Sequence, residues 1–140
     1  MKNAIFAILL KYILLFSLGG SCYYLIELLY RGRSHISMAL CGGFCLCAIY
    51  MIFDRLRGVG VIAKAFLGAL VITAAELFTG WIVNILLSLS VWDYSRVPLN
   101  LFGQICLPFS LIWFLMCFPI MYLCKILKTH VFSCPIFNKY

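Results

Sequence analysis

Four long apolar runs, separated by three short polar breaks, account for most of the 140 residues. The runs cover about 5–30, 36–53, 59–89 and 101–127. The breaks read RGRSH, DRLRG and SVWDYSRVPLN. A helix needs about 20 mostly apolar residues to cross a bilayer, and each run comes close to that length or exceeds it. The first and third are longer than the hydrocarbon core requires, so they are expected to tilt or to extend past it. Connections this short make consecutive helices antiparallel neighbours. The pattern predicts an all-α polytopic membrane protein: one membrane domain over 1–140, four transmembrane helices in an antiparallel bundle, and a short polar tail at 128–140. The start, MKNAIFAILLKYILLFSLGG, resembles a cleavable leader. However, Lys11 interrupts its apolar run, and YYLIELLY after Cys22 prolongs the helix, so a retained first span is expected.

Composition supports the bilayer as solvent. Hydrophobic residues make up 66% and charged residues 11%, where soluble domains carry about a quarter charged residues. The net charge of +7 does not point to nucleic acid, because that partner requires an exposed basic surface. Eight cysteines are present, seven of them in apolar runs. No His or second acid accompanies Cys41, Cys45 and Cys47, so packing rather than metal binding is expected, and no cofactor is called for.

Charge also predicts orientation. Lys2, Lys11, Arg55, Arg57, Lys64, Lys125, Lys128 and Lys139 fall on one side, and Arg31, Arg33 and Arg96 on the other. The positive-inside rule then puts both termini in the cytoplasm, with the basic side against anionic headgroups.

A few polar groups stand inside the spans. The stem of Lys11 can reach the headgroups by snorkelling. Glu27 stands four residues before Arg31, which makes either a plain helix pair or a gate at the rim of a site. Glu76 lies mid-span in TAAELFTGWIVN. At 100° per residue Thr73, Glu76, Gly80, Asn84 and Ser88 share one face. A lipid-facing acid at that depth would cost about 2.5–3.5 kcal/mol, so this face is expected to turn into the bundle. It serves there either as a packing seam or as a substrate or proton site. Tyr23, Tyr24, Trp81, Trp92 and Tyr94 are candidates for an aromatic belt. His35 is read as interfacial, with Glu27 or Asp93 as potential neighbours.

The third break and the start of the fourth run, WDYSRVPLNLFGQICLPFS, collect more polar groups than a connection requires. Pro98 blocks helix, and Asp93 and Ser95 can bond nearby amides. Asn100 is expected to cap the fourth helix. Gly103, Gln104 and Pro108 would then lie in its first turns.

These residues carry a resemblance. Glu76, Thr79, Gly80 and Asn84, then Trp92-Asp93-Tyr94-Ser95, Pro98, Asn100 and Gly103-Gln104-Ile105, are similar to the signature of the CmpB-like, type IV family of ABC-transporter permeases. YYLIELLYRGRSH and the pair Gly42-Gly43 add to it, and the resemblance extends over about 19–113. Where some members carry an RG-x-LYGP-x-PIYG-like stretch, this chain has RGRSHISMALCGG, without the prolines. The resemblance implies a small membrane subunit of a bacterial cell-membrane transporter. Its partners would be the lipid bilayer, an ABC ATPase or another membrane subunit, and further copies of itself. The chain has no Gly-x4-Gly-Lys-Ser/Thr loop, so nucleotide hydrolysis would belong to another chain.

The expected site is an outward-opening polar pocket of Glu76, Thr79, Gly80, Asn84, Trp92, Asp93, Tyr94, Ser95, Asn100 and Gln104, with Glu27 and Arg31 at its rim. A helix N-terminus near Asn100 would favour an anionic group there. No catalytic role is expected. The alternative is a non-transporting protein that packs against a membrane partner through the face from Thr73 to Ser88.

Overall fold

The computed structural model describes residues 2–134, with side chains from residue 5 onward. Four helices are long and apolar enough to cross a membrane. Helix α1 spans Lys2–Arg31, α2 spans Ile36–Arg55, α3 spans Val61–Gly80 and α4 spans Leu107–Ile126. Helix α3 runs on as a wider π-helical segment, Trp81–Leu86, and α4 does the same over Leu127–Val131. The helices leave large apolar side chains on the outside, such as Leu29 at 88% and Ile62 at 73% exposure. Such a surface belongs in hydrocarbon.

Local chemistry sets the boundaries of α1 and α2. Gly32 ends α1 at φ +69, with its amide on the Leu28 carbonyl, the left-handed turn that glycine adopts without penalty. His35 is the N-cap of α2, its Nδ1 accepting from the Ser37 amide at 3.2 Å. It is therefore a half-buried capping residue.

Contacts between helices confirm antiparallel neighbours. Along α1 and α2, Gly19 meets Gly42 and Phe16 meets Gly43. A Cβ on Gly19 would lie 2.6 Å from the Gly42 carbonyl oxygen, so two backbones touch where the side chains vanish. Along α3 and α4, Gly68 faces Cys117 and Thr73 bonds Ser110. The core lies between these two helical hairpins, where Leu15, Met38, Ile49, Glu76 and Cys117 are fully buried.

Three expectations are corrected. The fourth helix begins at Leu107, not near 101. Residues 100–106 instead form a small antiparallel hairpin, β1 (Asn100–Leu101) with β2 (Ile105–Cys106). Asn100 therefore caps no helix, Gly103 and Gln104 are hairpin residues, and Pro108 sits in the first turn of α4, where its missing N–H leaves no bond unmade. The third helix ends at Leu86, so Ser88 leaves the shared face and sits exposed at φ +52. The expected tail at 128–140 starts as helix through Val131, and its end, with Lys139, lies outside the described residues.

Candidate functional site

Helix α3 carries the polar groups of the bundle on one face, as its sequence spacing implies. Thr73 Oγ1 bonds Ser110 Oγ of α4 at 3.1 Å. One turn on, Glu76 is 2% exposed. Its two carboxyl oxygens have different partners: Tyr23 of α1 donates its hydroxyl to Oε1 at 2.5 Å, and Trp113 of α4 donates Nε1 to Oε2 at 2.9 Å. The Tyr23 and Trp113 rings stack, with centroids 5.5 Å apart. One carboxyl group thus ties three helices together at mid-span. Thr79 sits beside the Cys41 thiol of α2.

The next rung is Gly80 with Asn84. A Cβ on Gly80 would lie 2.5 Å from Gln104 Oε1 and 2.8 Å from Trp92 Cζ2, so only glycine lets the hairpin seat here. Asn84 Nδ2 donates to Gln104 Oε1 at 2.8 Å and to the Trp92 carbonyl at 3.1 Å, and its Oδ1 accepts from the Val91 amide at 2.7 Å. Trp92 Nε1 donates to the Gln104 carbonyl at 2.9 Å. Both Trp92 and Gln104 are buried. Trp92 and Tyr23 are therefore not belt residues facing the interface, whereas Trp81 is half exposed.

The remaining polar groups of the connection bond one another. Asp93 accepts from the Ser95 amide at 2.8 Å and from its hydroxyl at 2.9 Å. These two bonds hold the Asp93 carboxyl below its ordinary value. Asn100 Nδ2 donates to the Val97 and Ser95 carbonyls, and its Oδ1 accepts from Gly103 N. Tyr94 stacks on Phe109 at 4.8 Å, and its burial there raises its hydroxyl above the usual range. Gly103, at φ +67, brings its backbone against Asp93. At the rim Glu27 pairs with Arg31, and Arg31 Nη1 donates to the Val91 carbonyl at 3.0 Å.

The expected site residues therefore separate into four groups: a carboxyl knot at Glu76, an amide knot at Asn84 and Gln104, a self-bonded turn at Asp93, Ser95 and Asn100, and a Glu27–Arg31 clasp. The first two are stacked along α3. The third lies at the surface, with Asp93, Ser95 and Asn100 exposed. A loop-end cavity of about 170 Å³ takes in Arg31, Ser34 and Val91. Trp113 and Tyr23 are the partners that the sequence pattern does not reveal. The usable signal is the mid-span Trp N–H, which has to find an acceptor. Among the described residues no cluster of three or more His, Cys, Asp or Glu is arranged to hold a metal, and all eight cysteines are free.

The polar spine on α3 and the seated hairpin are the features that the matching family model spans. The model described as "Putative ABC-transporter type IV" matches residues 14–137. The chain belongs to this family. The match is wider than the 19–113 over which the motifs alone carry the resemblance, and it takes in all of α2, α3 and α4. No curated protein and no solved structure matches the chain.

Proposed function

We propose that the chain is a multi-pass membrane subunit of an ABC-type transporter, with both termini cytoplasmic and no catalytic step of its own. Family membership over residues 14–137 is the observation that carries this reading. Without a nucleotide-binding loop, the chain would draw its power from a separate ATPase. The orientation is supported by the clustering of Arg55, Arg57, Lys64, Lys125 and Lys128 at the end of the bundle opposite Arg31, Arg33 and Arg96. The α3 spine gives the subunit a rigid internal frame, and a substrate path would be completed by a second copy or another subunit, since the polar groups of this chain are largely bonded to one another.

That same self-satisfaction favours a second reading, a non-transporting protein that stabilises a membrane partner. Purification in nanodiscs with identification of bound proteins by mass spectrometry separates the two. A stoichiometric ABC ATPase supports the transporter subunit. A partner without a nucleotide site overturns it in favour of the second reading, and an oligomer with no partner overturns both.

A further inference from the structure

The end of the bundle where α1 begins and α4 ends has a groove of about 540 Å³ between α2, α3 and α4. Its rim is charged: Asp54 and Arg57 from the end of α2 and the turn after it, Lys64 from the first turn of α3, and Lys125 and Lys128 from the end of α4. Its floor is apolar, formed by Tyr50, Phe53, Met121 and Cys124. Tyr50 precedes Asp54, and Met121 precedes Lys125, by four residues, which is about 6 Å of helix towards the bilayer centre.

The charges do not balance within the chain. Of its four acids, Glu27 is held by Arg31, Glu76 is buried in the core and Asp93 bonds Ser95 at the opposite end. Asp54 alone faces this rim, where it is held by Lys128 and Arg57. Lys64 and Lys125 have no ion pair among the described residues. A further cation, Lys11, stands over the Tyr50 ring at 4.5 Å. The rim therefore requires negative charge from outside, directly above an apolar floor at membrane depth. A phosphate joined to hydrocarbon meets both requirements, and basic pockets between helix ends are known to hold such headgroups.

We infer that this groove binds an anionic phospholipid, its phosphate between Lys64 and Lys125 and the start of its acyl chains against Phe53 and Met121. Asp54 orients Lys128 and Arg57 towards the same headgroup. The inference does not depend on a transport role.

The test is lipid retention by the full chain, read by native mass spectrometry from micelles titrated with phosphatidylglycerol or phosphatidylcholine. The wild type is expected to retain phosphatidylglycerol selectively. At about fivefold per interfacial lysine, K64Q/K125Q should lose about 30-fold in retention. K64R/K125R, which keeps the charge, should retain the lipid and shows that the site tolerates substitution. R33Q/R96Q, which removes two cations from the other end, should bind as wild type. Equal losses in K64Q/K125Q and R33Q/R96Q would reduce the effect to overall charge and overturn the site. Equal retention of phosphatidylcholine, or displacement of the lipid by millimolar inorganic phosphate, would overturn it as well. So would a co-purifying acidic protein, or a second copy of the chain, that K64Q/K125Q releases without any change in lipid selectivity.

Discussion

Replacing Tyr23 by Phe removes one oxygen from the core and little else. The ring stays stacked on Trp113, so the change isolates the bond from the hydroxyl to Glu76 Oε1 at 2.5 Å. Hydrogen bonds between membrane helices contribute about 0.6 kcal/mol on average and up to about 1.7 kcal/mol. A well-buried bond to a carboxyl group belongs at the upper end, so Y23F is expected to cost about 1–2 kcal/mol. E76A leaves the Tyr23 and Trp113 donors without an acceptor, at about 1–3 kcal/mol each. It also opens a void in a core where Glu76 is 2% exposed, so its cost should exceed about 3 kcal/mol. E76Q keeps the volume and one acceptor but turns an amide N–H₂ towards the other donor, and should fall between the two. In Y23F/E76A one orphaned donor has been removed along with its acceptor. The double variant should therefore be about 1–2 kcal/mol more stable than the sum of the singles implies. Equilibrium unfolding by SDS titration in bicelles measures the four variants against the wild type. Additivity within about 0.5 kcal/mol would refute the knot as an energetic unit and leave Glu76 free for another role.

The other variants probe the hairpin and its seat. G80A pushes a methyl group into Gln104 and Trp92 and should cost about 1–3 kcal/mol in the same unfolding assay. N84D exchanges the amide donor that faces the Trp92 carbonyl and Gln104 Oε1 for an acceptor, and should cost about 2 kcal/mol. The Asp93 turn should be pH-dependent. Its carboxyl is held below the ordinary 3.8, so its bonds to Ser95 contribute fully above that value and are lost as pH falls through the depressed one. Protection of the Ser95 amide, its exchange measured relative to the intrinsic rate at each pH and followed downwards from pH 5, should persist to below pH 3.8 and then fall in the wild type, and be absent throughout in D93A. A wild-type loss of protection centred above 3.8 would contradict the turn.

Periodicity revealed the helices because lipid imposes a single rule on every span: about 20 residues with few charges. It also placed Thr73, Glu76, Gly80 and Asn84 on one inward face, since an acid and an amide at that depth are too costly to expose to hydrocarbon. It could not name their partners, because Tyr23, Ser110 and Trp113 lie at least 37 residues away in sequence. The hairpin at 100–106 reads as helix in the sequence for a definite reason. Leu101, Phe102, Ile105 and Cys106 are apolar enough to pass for the start of a span, and the turn depends on a left-handed Leu99 and Phe102, conformations that no propensity assigns to those residues. The glycine pairs at 19–20 and 42–43 were legible in composition, but their meeting across two helices was not.

The geometry also answers why so many polar groups gather after Trp92. A connection at the membrane edge must bond its own amides, since hydrocarbon bonds none of them. Asp93, Ser95 and Asn100 do this within the turn, and Asn84 and Gln104 do it where the turn meets α3. Two bonds that fasten α1 to the second helical hairpin and its connection, Tyr23 to Glu76 and Arg31 to the Val91 carbonyl, lie in the half of the bundle nearest this connection. At the other end the α1–α2 hairpin is fastened to the end of α4 by the Asp54–Lys128 pair, which is accessible to water and contributes little, and by the buried Tyr50 and Phe132 rings, whose centroids lie 5.6 Å apart. The connection end is thus held by buried hydrogen bonds and the terminal end by packed rings. An anionic lipid seated between Lys64 and Lys125 would add a polar fastening at the end that packing otherwise holds.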